Sequence, residues 1–273
     1  MRLPQELVEG IIDYFSDDST MLVTFSLVAK SWLARSRCHL FSKIALSKES
    51  ARKWQSLIPP GPDGLSCLVR SLSLLQAPAS RWLDPESLDV ISDHLFSFQQ
   101  VENLLVTWLY LDDFEPASLA RHFGHFGPSL RSLRLSYLAA DYSALMTFLQ
   151  LFPNLQDLHI HTPELNDDNP PLRISRTGPI IRGSLNLTRL NLHSSPFISH
   201  LADLDLRFSS ISAYNCDFSS GLPLINLLDA SASSLRKLEL EYVTFCKFYV
   251  SFPRNTPVNL PPSQICRLVP YPL

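Results

Sequence analysis

A six-residue apolar pattern limits what most of this chain can fold into. Written as apolar-x-x-apolar-x-apolar, the pattern recurs from Val69 to Leu240. The last two apolar residues of a copy alternate with polar ones as in a β-strand, and the first lies on the turn into that strand. Because all three side chains point into one core, neighbouring copies have to cover each other. The copies are Val69/Leu72/Leu74, Val101/Leu104/Val106, Leu130/Leu133/Leu135, Leu155/Leu158/Ile160, Leu187/Leu190/Leu192, Phe208/Ile211/Ala213 and Leu235/Leu238/Leu240.

The copies start 32, 29, 25, 32, 21 and 27 residues apart, which indicates an irregular repeat. Helices are expected between the strands, and Pro128 and Pro153 follow two of them, as proline does after a helix end. The sequence therefore predicts an α/β fold with a parallel strand ladder. The predicted helices are Glu86–Phe98, Pro116–Phe126, Tyr142–Leu151 and Leu222–Ala230.

Residues 65–245 resemble a degenerate leucine-rich-repeat solenoid of about seven turns. That family places Asn or Cys after the strand and an apolar residue two positions further on. Cys216 and Phe218 hold these positions after Ala213. The residues leave open a second interpretation, a non-repetitive α/β domain whose strands happen to be rich in leucine.

Residues 1–46 predict three short helices. Pro4 fits a first helical turn, and apolar residues from Leu7 to Phe15 recur at spacings of three and four. The run from Ser16 to Ser19 can cap a second helix, and a third carries Trp32. Helices in so short a segment bury only a small core, so we expect a partner to cover their remaining apolar surface.

The order of residues in this segment resembles the F-box motif, by which substrate receptors dock on a Skp-type adaptor of cullin–RING ubiquitin ligases. The matching elements are Leu3-Pro4-Gln5-Glu6-Leu7, then Leu27-Val28-Ala29-Lys30-Ser31-Trp32, then Leu40-Phe41. Ala29 and Phe41 depart from the Cys and Trp that are frequent in the family. The alternative is a private helical hairpin packed on the rest of the chain. The resemblance implies adaptor contacts by Leu3, Pro4, Leu7, Ile11, Ile12, Leu27, Val28 and Trp32.

Two further segments flank the predicted repeats. Residues 47–64 are expected to form a linker, with a short helix that turns Trp54 and Leu57 inward and then a Pro/Gly loop over 59–64. Residues 246–273 are rich in proline, which excludes a helix and disfavours a central strand. We expect this tail to be poorly ordered.

Composition limits the partners and the compartment. A net charge of −3 supplies no basic field for nucleic acid. No apolar run approaches the ~18 residues that span a membrane. Five scattered cysteines without a C-x-x-C pair suit reduced thiols. We therefore expect an intracellular protein, cytoplasmic or nuclear, that binds neither nucleic acid nor membrane.

The sequence contains no motif for a nucleophile, a zinc protease site or a phosphate loop, so we expect no catalytic residue, no metal and no cofactor. The sharpest chemical candidate is Asp157-Leu158-His159-Ile160-His161, because Asp157, His159 and His161 share one face of a strand. His122 and His125 are predicted at an exposed helix end. The loop over 164–169 is expected to be a solvated turn.

The outward positions of the predicted strands form a polar face that runs from basic and histidine-rich to acidic. We therefore expect the substrate-recognition subunit of an SCF-type (Skp–cullin–F-box) ubiquitin ligase, which holds an unknown protein target on this face. A leucine-rich-repeat interaction scaffold without a ligase role is one alternative, and a hydrolase or metal enzyme that uses the surroundings of His161 is another. The predicted substrate contacts are Arg134, His159, His161, Arg189, Asn191, His193, Tyr214 and Glu239.

Overall fold

A computed structural model of the chain describes residues 3–58, 64–78, 81–166, 183–190, 197–199, 201, 208–218 and 221–245. Most of the predicted Pro/Gly loop, the predicted contacts Asn191 and His193, and the whole of the tail 246–273 lie outside the described residues.

Helices form where apolar spacing and capping residues agree. Asp18, Asp84 and Asp141 each accept a hydrogen bond from a backbone N–H in the first turn of the helix that follows them. The predicted helices between the strands are confirmed, with ends that differ by no more than three residues. The helices are α1 Gln5–Tyr14, α2 Ser19–Val28, α3 Lys30–Leu40, α4 Lys48–Leu57, α5 Pro85–Phe96, α6 Pro116–Phe123, α7 Tyr142–Gln150 and α8 Leu222–Ser231.

Eight strands form one parallel sheet in chain order. They are β1 Lys43–Leu46, β2 Ser71–Leu74, β3 Asn103–Thr107, β4 Ser132–Ser136, β6 Asp157–His161, β8 Ser184–Thr188, β9 Ser210–Tyr214 and β11 Lys237–Glu241. Short parallel pairs follow some of these strands: β5 Ala139–Asp141 with β7 Glu164–Asn166, and β10 Asp217–Phe218 with β12 Thr244–Phe245. The predicted α/β fold with a parallel strand ladder is confirmed.

The core lies between the sheet and the helices that join its strands. Corresponding apolar residues lie side by side on neighbouring strands, as Leu72, Leu104, Leu133 and Leu158 do. Each of these four side chains is at most 1% exposed. On the helical side, rings of neighbouring elements meet edge to face, for example Phe123 and Phe148 with centroids 5.2 Å apart.

The predicted register of one strand was wrong. We expected Leu190 and Leu192 to be the inward residues of the strand, but β8 spans Ser184–Thr188 and its inward residues are Leu185 and Leu187, opposite Leu158 and Ile160. Leu190 is buried as predicted, at 2% exposed, but it lies beyond the strand, and Leu192 lies outside the described residues. Arg189 therefore lies beyond the strand. The run from 185 to 192 has apolar residues at 185, 187, 190 and 192, so the alternating pair that ends the pattern fits at two places, although only the later one has the apolar residue, Leu187, three positions before it.

Strand β1 lies inside the segment predicted as the three-helix motif. Its inward residues Ile44 and Leu46 pair with Leu72 and Leu74, and with Phe41 they repeat the six-residue pattern. The sheet therefore begins one strand earlier than predicted.

Helix α4 packs on this first strand. Trp54 packs against the core, as predicted. Leu57 is 78% exposed, so its predicted inward position was wrong.

Helices α1 to α3 have a core of their own. Val8, Ile12, Leu22 and Phe25 form a buried cluster that is separate from the main one. Four buried side chains make a small core, so much of the apolar surface of these three helices is exposed. Within the part of the chain that the structure describes, every helix is too short or too polar to cross a membrane.

Candidate protein-interaction surfaces

Helices α1 and α2 each expose apolar residues, and these residues make up the candidate outer face. Leu7 and Ile11 follow one side of α1, while Leu27 and Val28 end α2. Leu7, Leu27 and Val28 are 57%, 81% and 59% exposed, and Leu3 is exposed to a similar extent. Water-exposed leucine and valine on two adjoining helices indicate a surface that a partner can cover.

The other predicted adaptor contacts lie elsewhere. Ile12 is fully buried in the small core. Trp32 packs against the same core, with its ring centroid 5.3 Å from that of Phe25. Pro4 is exposed and begins α1, where its carbonyl oxygen accepts the N–H groups of Leu7 and Val8. In this conformation Ile12 and Trp32 support the outer face from inside.

Three side chains, Asp13, Arg35 and His39, form a charged clamp between α1 and α3. Arg35 Nε and Nη2 donate to the two carboxylate oxygens of Asp13, each over 2.7 Å, and His39 Nε2 lies 2.7 Å from one of them. The hydrogen bonds from Arg35 and then from His39 lower the pKa of the Asp13 carboxyl to about 2. The clamp joins α1 to α3 and holds the angle between them.

The second candidate surface is the polar face of the sheet. Parallel pairing aligns Arg134, His159, Asn186, Ser212 and Glu239 in one row. The next row is Ser136, His161, Thr188, Tyr214 and Glu241. The two rows confirm that the predicted residues of β4, β6, β9 and β11 share one face.

A groove of about 370 Å³ crosses these rows at β4, β6 and β8. Burial, with Arg134 nearby, lowers the pKa of His159, and burial, with Arg189 nearby, lowers that of His161. Both rings are therefore neutral at neutral pH. The groove offers hydrogen-bond donors and acceptors beside the Arg134 cation, which suits a polar or acidic segment of a protein.

The metal alternative gains no support from the described residues. Asp157 Oδ1 already accepts hydrogen bonds from the N–H and the hydroxyl of Ser184, over 3.0 and 2.6 Å. Asn186 Nδ2 lies 3.4 Å from His159 Nε2. Within those residues, no three His, Cys, Asp or Glu side chains come together in a way that could hold a metal ion.

The acidic end of the face lies at the last strand. Glu239 accepts a hydrogen bond from Ser212 Oγ over 3.1 Å and lies 2.9 Å from Lys237 Nζ. The hydrogen bond from Lys237 and then that from Ser212 lower the pKa of the Glu239 carboxyl. Tyr214 is 45% exposed, with its ring 5.6 Å from that of Tyr242.

Sequence reasoning missed two groups of residues on these surfaces. Asn186 and Thr188 line the groove, and they were hidden by the error in register. Trp108 and Tyr137 stack at the carboxyl edge of the sheet, with centroids 4.3 Å apart and planes 4° apart. Their common position one residue after a strand was the available signal.

The predicted exposure of His122 and His125 was wrong. His122 is 1% exposed and lies on α6, with its Nε2 3.3 Å from Oδ1 of Asp89 on α5. The ring of His125 lies 3.8 Å from that of Phe126 and 5.1 Å from that of Phe96. Burial lowers the pKa of His122, and lowers that of His125 to about 4. His122 is therefore a core residue, and His125 is half-buried between aromatic rings.

The sequence matches no protein-family model, and a comparison with curated proteins found no significant match.

Proposed function

We propose that this chain is the substrate-recognition subunit of an SCF-type ubiquitin ligase. Helices α1 to α3, with the apolar face formed by Leu3, Leu7, Ile11, Leu27 and Val28, dock on a Skp-type adaptor. The polar face of the sheet holds a protein target. The chain itself does no chemistry, and its contribution to ubiquitination is proximity, which raises the effective concentration of the target at the ligase.

The observation that carries the proposal is how the motif residues divide between core and surface. Val8, Ile12, Leu22 and Phe25 fold the helices, and most of the remaining apolar residues that match the F-box pattern are exposed. A private hairpin packed on the rest of the chain would instead bury Leu7 and Leu27. Covering exposed leucines contributes about 1.5–3 kcal/mol for each side chain that becomes fully buried, enough for a few of them to anchor a partner.

The polar face supports the second half of the proposal. The groove at Arg134, His159 and Asn186 continues along the rows towards Tyr214 and Glu239. Such a row combines arginine, tyrosine and hydrogen-bonding groups, the types that recur in protein recognition. A scaffold without a ligase role would use the same face and would leave the helical face without an adaptor.

Co-purification with a Skp-type adaptor tests the docking. The double variant Leu7→Asp/Leu27→Asp places two charges on the apolar face, and we expect it to lose adaptor binding by at least tenfold. Leu57→Asp is the matched control, because Leu57 is an exposed leucine on α4, outside the docking helices. Circular dichroism checks that both variants fold. Equal adaptor binding by both variants would refute the receptor proposal, and absent binding by the unaltered chain would favour the scaffold.

A further inference from the structure

Six strands of the sheet end in an unusual turn. The residue after each of six strands has a positive φ between 49° and 57°, and none of the six is glycine. Such a φ is costly for bulky or β-branched side chains. Three of these residues are nevertheless aromatic. The six are Trp108, Tyr137, Thr162, Arg189, Asn215 and Tyr242.

The turns bring two large rings together on one edge. Trp108 and Tyr137 stack almost parallel, and the rings of His161 and Tyr137 are nearly perpendicular, with centroids 5.5 Å apart. The backbone beneath them is tightly bonded: Trp108 N–H donates to the Ser136 carbonyl over 2.8 Å, and Tyr137 N–H to that of His161 over 2.9 Å. The stack is therefore a fixed platform.

The buried side chain of Gln76 also fixes the backbone at Trp108. Its Nε2 donates to the Trp108 carbonyl over 2.5 Å, while its Oε1 accepts the N–H groups of Trp82 and Leu83, each over 2.6 Å. Gln76 is 5% exposed, and its amide is held from both sides. A partner that binds the stack therefore does not lose free energy in ordering these side chains.

A carboxylate stands beside the rings. A cleft at this edge is lined by Trp108, Tyr110, Tyr137, Thr162 and Glu164. Glu164 is exposed, and its position opposite Ala139 is fixed by the pairing of β5 with β7. The cleft is small, about 20 Å³, so a cation attracted by the rings and the carboxylate would lie on its rim.

The chain already places one of its own arginines in a similar setting. The Arg81 guanidinium lies 4.1 Å from the centroid of the Tyr110 ring, and its Nη1 lies 3.5 Å from Asp113 Oδ2. A guanidinium thus packs between a ring and a carboxylate next to the cleft. Trp108, Tyr137 and Glu164 repeat this combination further along the edge.

The surrounding charge is mainly negative. The described residues of the loops after β2, β3, β4 and β6 carry six carboxylates and one basic residue, Arg81, while Arg189 follows β8 and acts on His161. A nucleic acid phosphate would be repelled here, whereas a basic peptide would be attracted. The six are Asp84, Asp112, Asp113, Glu115, Asp141 and Glu164.

We propose that this edge, formed by Trp108, Tyr110, Tyr137 and Glu164, binds an arginine side chain in an extended segment of a partner protein. The guanidinium stacks on the aromatic platform and pairs with Glu164. The inference goes beyond the proposed ligase function, because it requires no adaptor and applies equally to a scaffold.

Fluorescence titration of the full chain with labelled peptides tests the site. The probe is a short Gly/Ser peptide with three arginines, compared with the same peptide carrying citrulline, which keeps the shape of arginine and lacks the charge. We expect the citrulline peptide to bind at least fivefold more weakly. Equal binding of the two peptides, or undetectable binding of the arginine peptide, would overturn the proposal.

Variants separate a specific site from general surface charge. We expect Glu164→Gln and Trp108→Asn each to weaken binding of the arginine peptide at least fivefold. Asparagine tolerates the positive φ at 108, and if Trp108→Asn does not fold, Glu164→Gln decides the test. Glu6→Gln removes an exposed carboxylate on α1 and serves as the matched control. Equal effects of Glu6→Gln and Glu164→Gln would overturn the proposal.

The adaptor variant keeps the two proposals distinct. Leu7→Asp/Leu27→Asp alters only the helical face, so it is expected to bind the arginine peptide with unchanged affinity. If that variant lost the peptide together with the adaptor, the proposed edge would not be the binding site.

Discussion

Gly127 packs so closely against Leu151 that a β-carbon on Gly127 would overlap the Leu151 carbonyl oxygen. The contact joins the turn after α6 to the end of α7, two elements that cover the same side of the sheet. Gly127 has a negative φ, so the need for glycine here is steric and does not come from backbone conformation.

Replacing this glycine with alanine is therefore expected to destabilise the fold. The added methyl group must displace backbone, and overpacking of this kind costs about 1–3 kcal/mol. Chemical denaturation measures the change in the free energy of unfolding.

Two other glycines serve as controls. A β-carbon on Gly124 or on Gly10 meets nothing within 4 Å. Gly124→Ala should change stability by less than about 0.5 kcal/mol. Gly10 is exposed in the middle of α1, where alanine should stabilise the helix by about 0.5–1 kcal/mol. If Gly127→Ala were as harmless as Gly124→Ala, the close contact with Leu151 would not exist in solution.

The clamp at Asp13 predicts a pH dependence at the acid end. The folded pKa of about 2 lies below the value of about 3.9 expected in the unfolded chain. The stabilisation is therefore complete above about pH 4 and is lost as the pH falls towards 2. The Asp13 side chain is 39% exposed, so solvent screens the pair and we expect Asp13→Asn to cost about 1 kcal/mol at pH 7.

The matched control for the clamp is Asp17→Asn. Asp17 pairs with Lys43 over 2.9 Å, but both side chains are largely exposed. We expect no measurable loss of stability from this change. Equal losses from Asp13→Asn and Asp17→Asn, measured by urea unfolding at pH 7, would show that the bidentate geometry has no special effect.

Burial of His125 predicts a second pH dependence, at higher pH. The pKa of this ring is about 4 in the folded chain and about 6.5 in the unfolded one. Between these values the unfolded chain binds a proton that folded His125 does not. Stability therefore falls as the pH drops from about 6.5 towards 4, by about 1.4 kcal/mol for each unit of pKa difference at most.

The variant His125→Leu should remove this part of the slope. Unfolding free energies at several pH values compare the two chains, and the titration of the His125 ring signals in NMR spectra gives the pKa directly. Identical slopes for the two chains, or a ring that titrates near 6.5, would contradict the prediction.

The register of β8 can be tested by a pair of neighbouring substitutions. Leu185 is fully buried opposite Leu158, so Leu185→Ala should cost about 2–5 kcal/mol. Asn186 lies on the polar face, and Asn186→Ala should cost less than about 1 kcal/mol. The reverse order of these two losses in thermal or urea unfolding would refute the observed register.

Much of the fold was predictable because the buried positions of strands and helices recur at regular spacings and carry apolar residues. Strand alternation at Leu133 and Leu135 and the capping aspartate at 141 are local signals that the tertiary structure reinforces. The division of the F-box-like residues into inner and outer sets was not predictable, because Leu7 and Ile12 are both apolar and both fit a helical spacing. Only the packing decides which of the two is covered.

The errors have equally physical causes. The β8 run contains the alternating apolar pair twice, at 185/187 and at 190/192, and pairing with β6 selects the first. His122 follows Leu119 by three residues and so lies on the buried side of α6, which outweighs the usual exposure of histidine. Strand β1 carries the pattern at Phe41, Ile44 and Leu46, inside the segment that also resembles the F-box motif.

The chain order of the sheet has a consequence for how such a protein can change in evolution. Each central strand of the main sheet pairs with the strands of that sheet that precede and follow it, and Leu158, Leu185 and Ile211 hold equivalent positions 27 and 26 residues apart. Deleting residues 185–210 would leave Leu158 facing Ile211 as it now faces Leu185. The polar face can thus shorten or lengthen in steps of about 4.8 Å, one strand at a time, while both flanking halves keep their contacts.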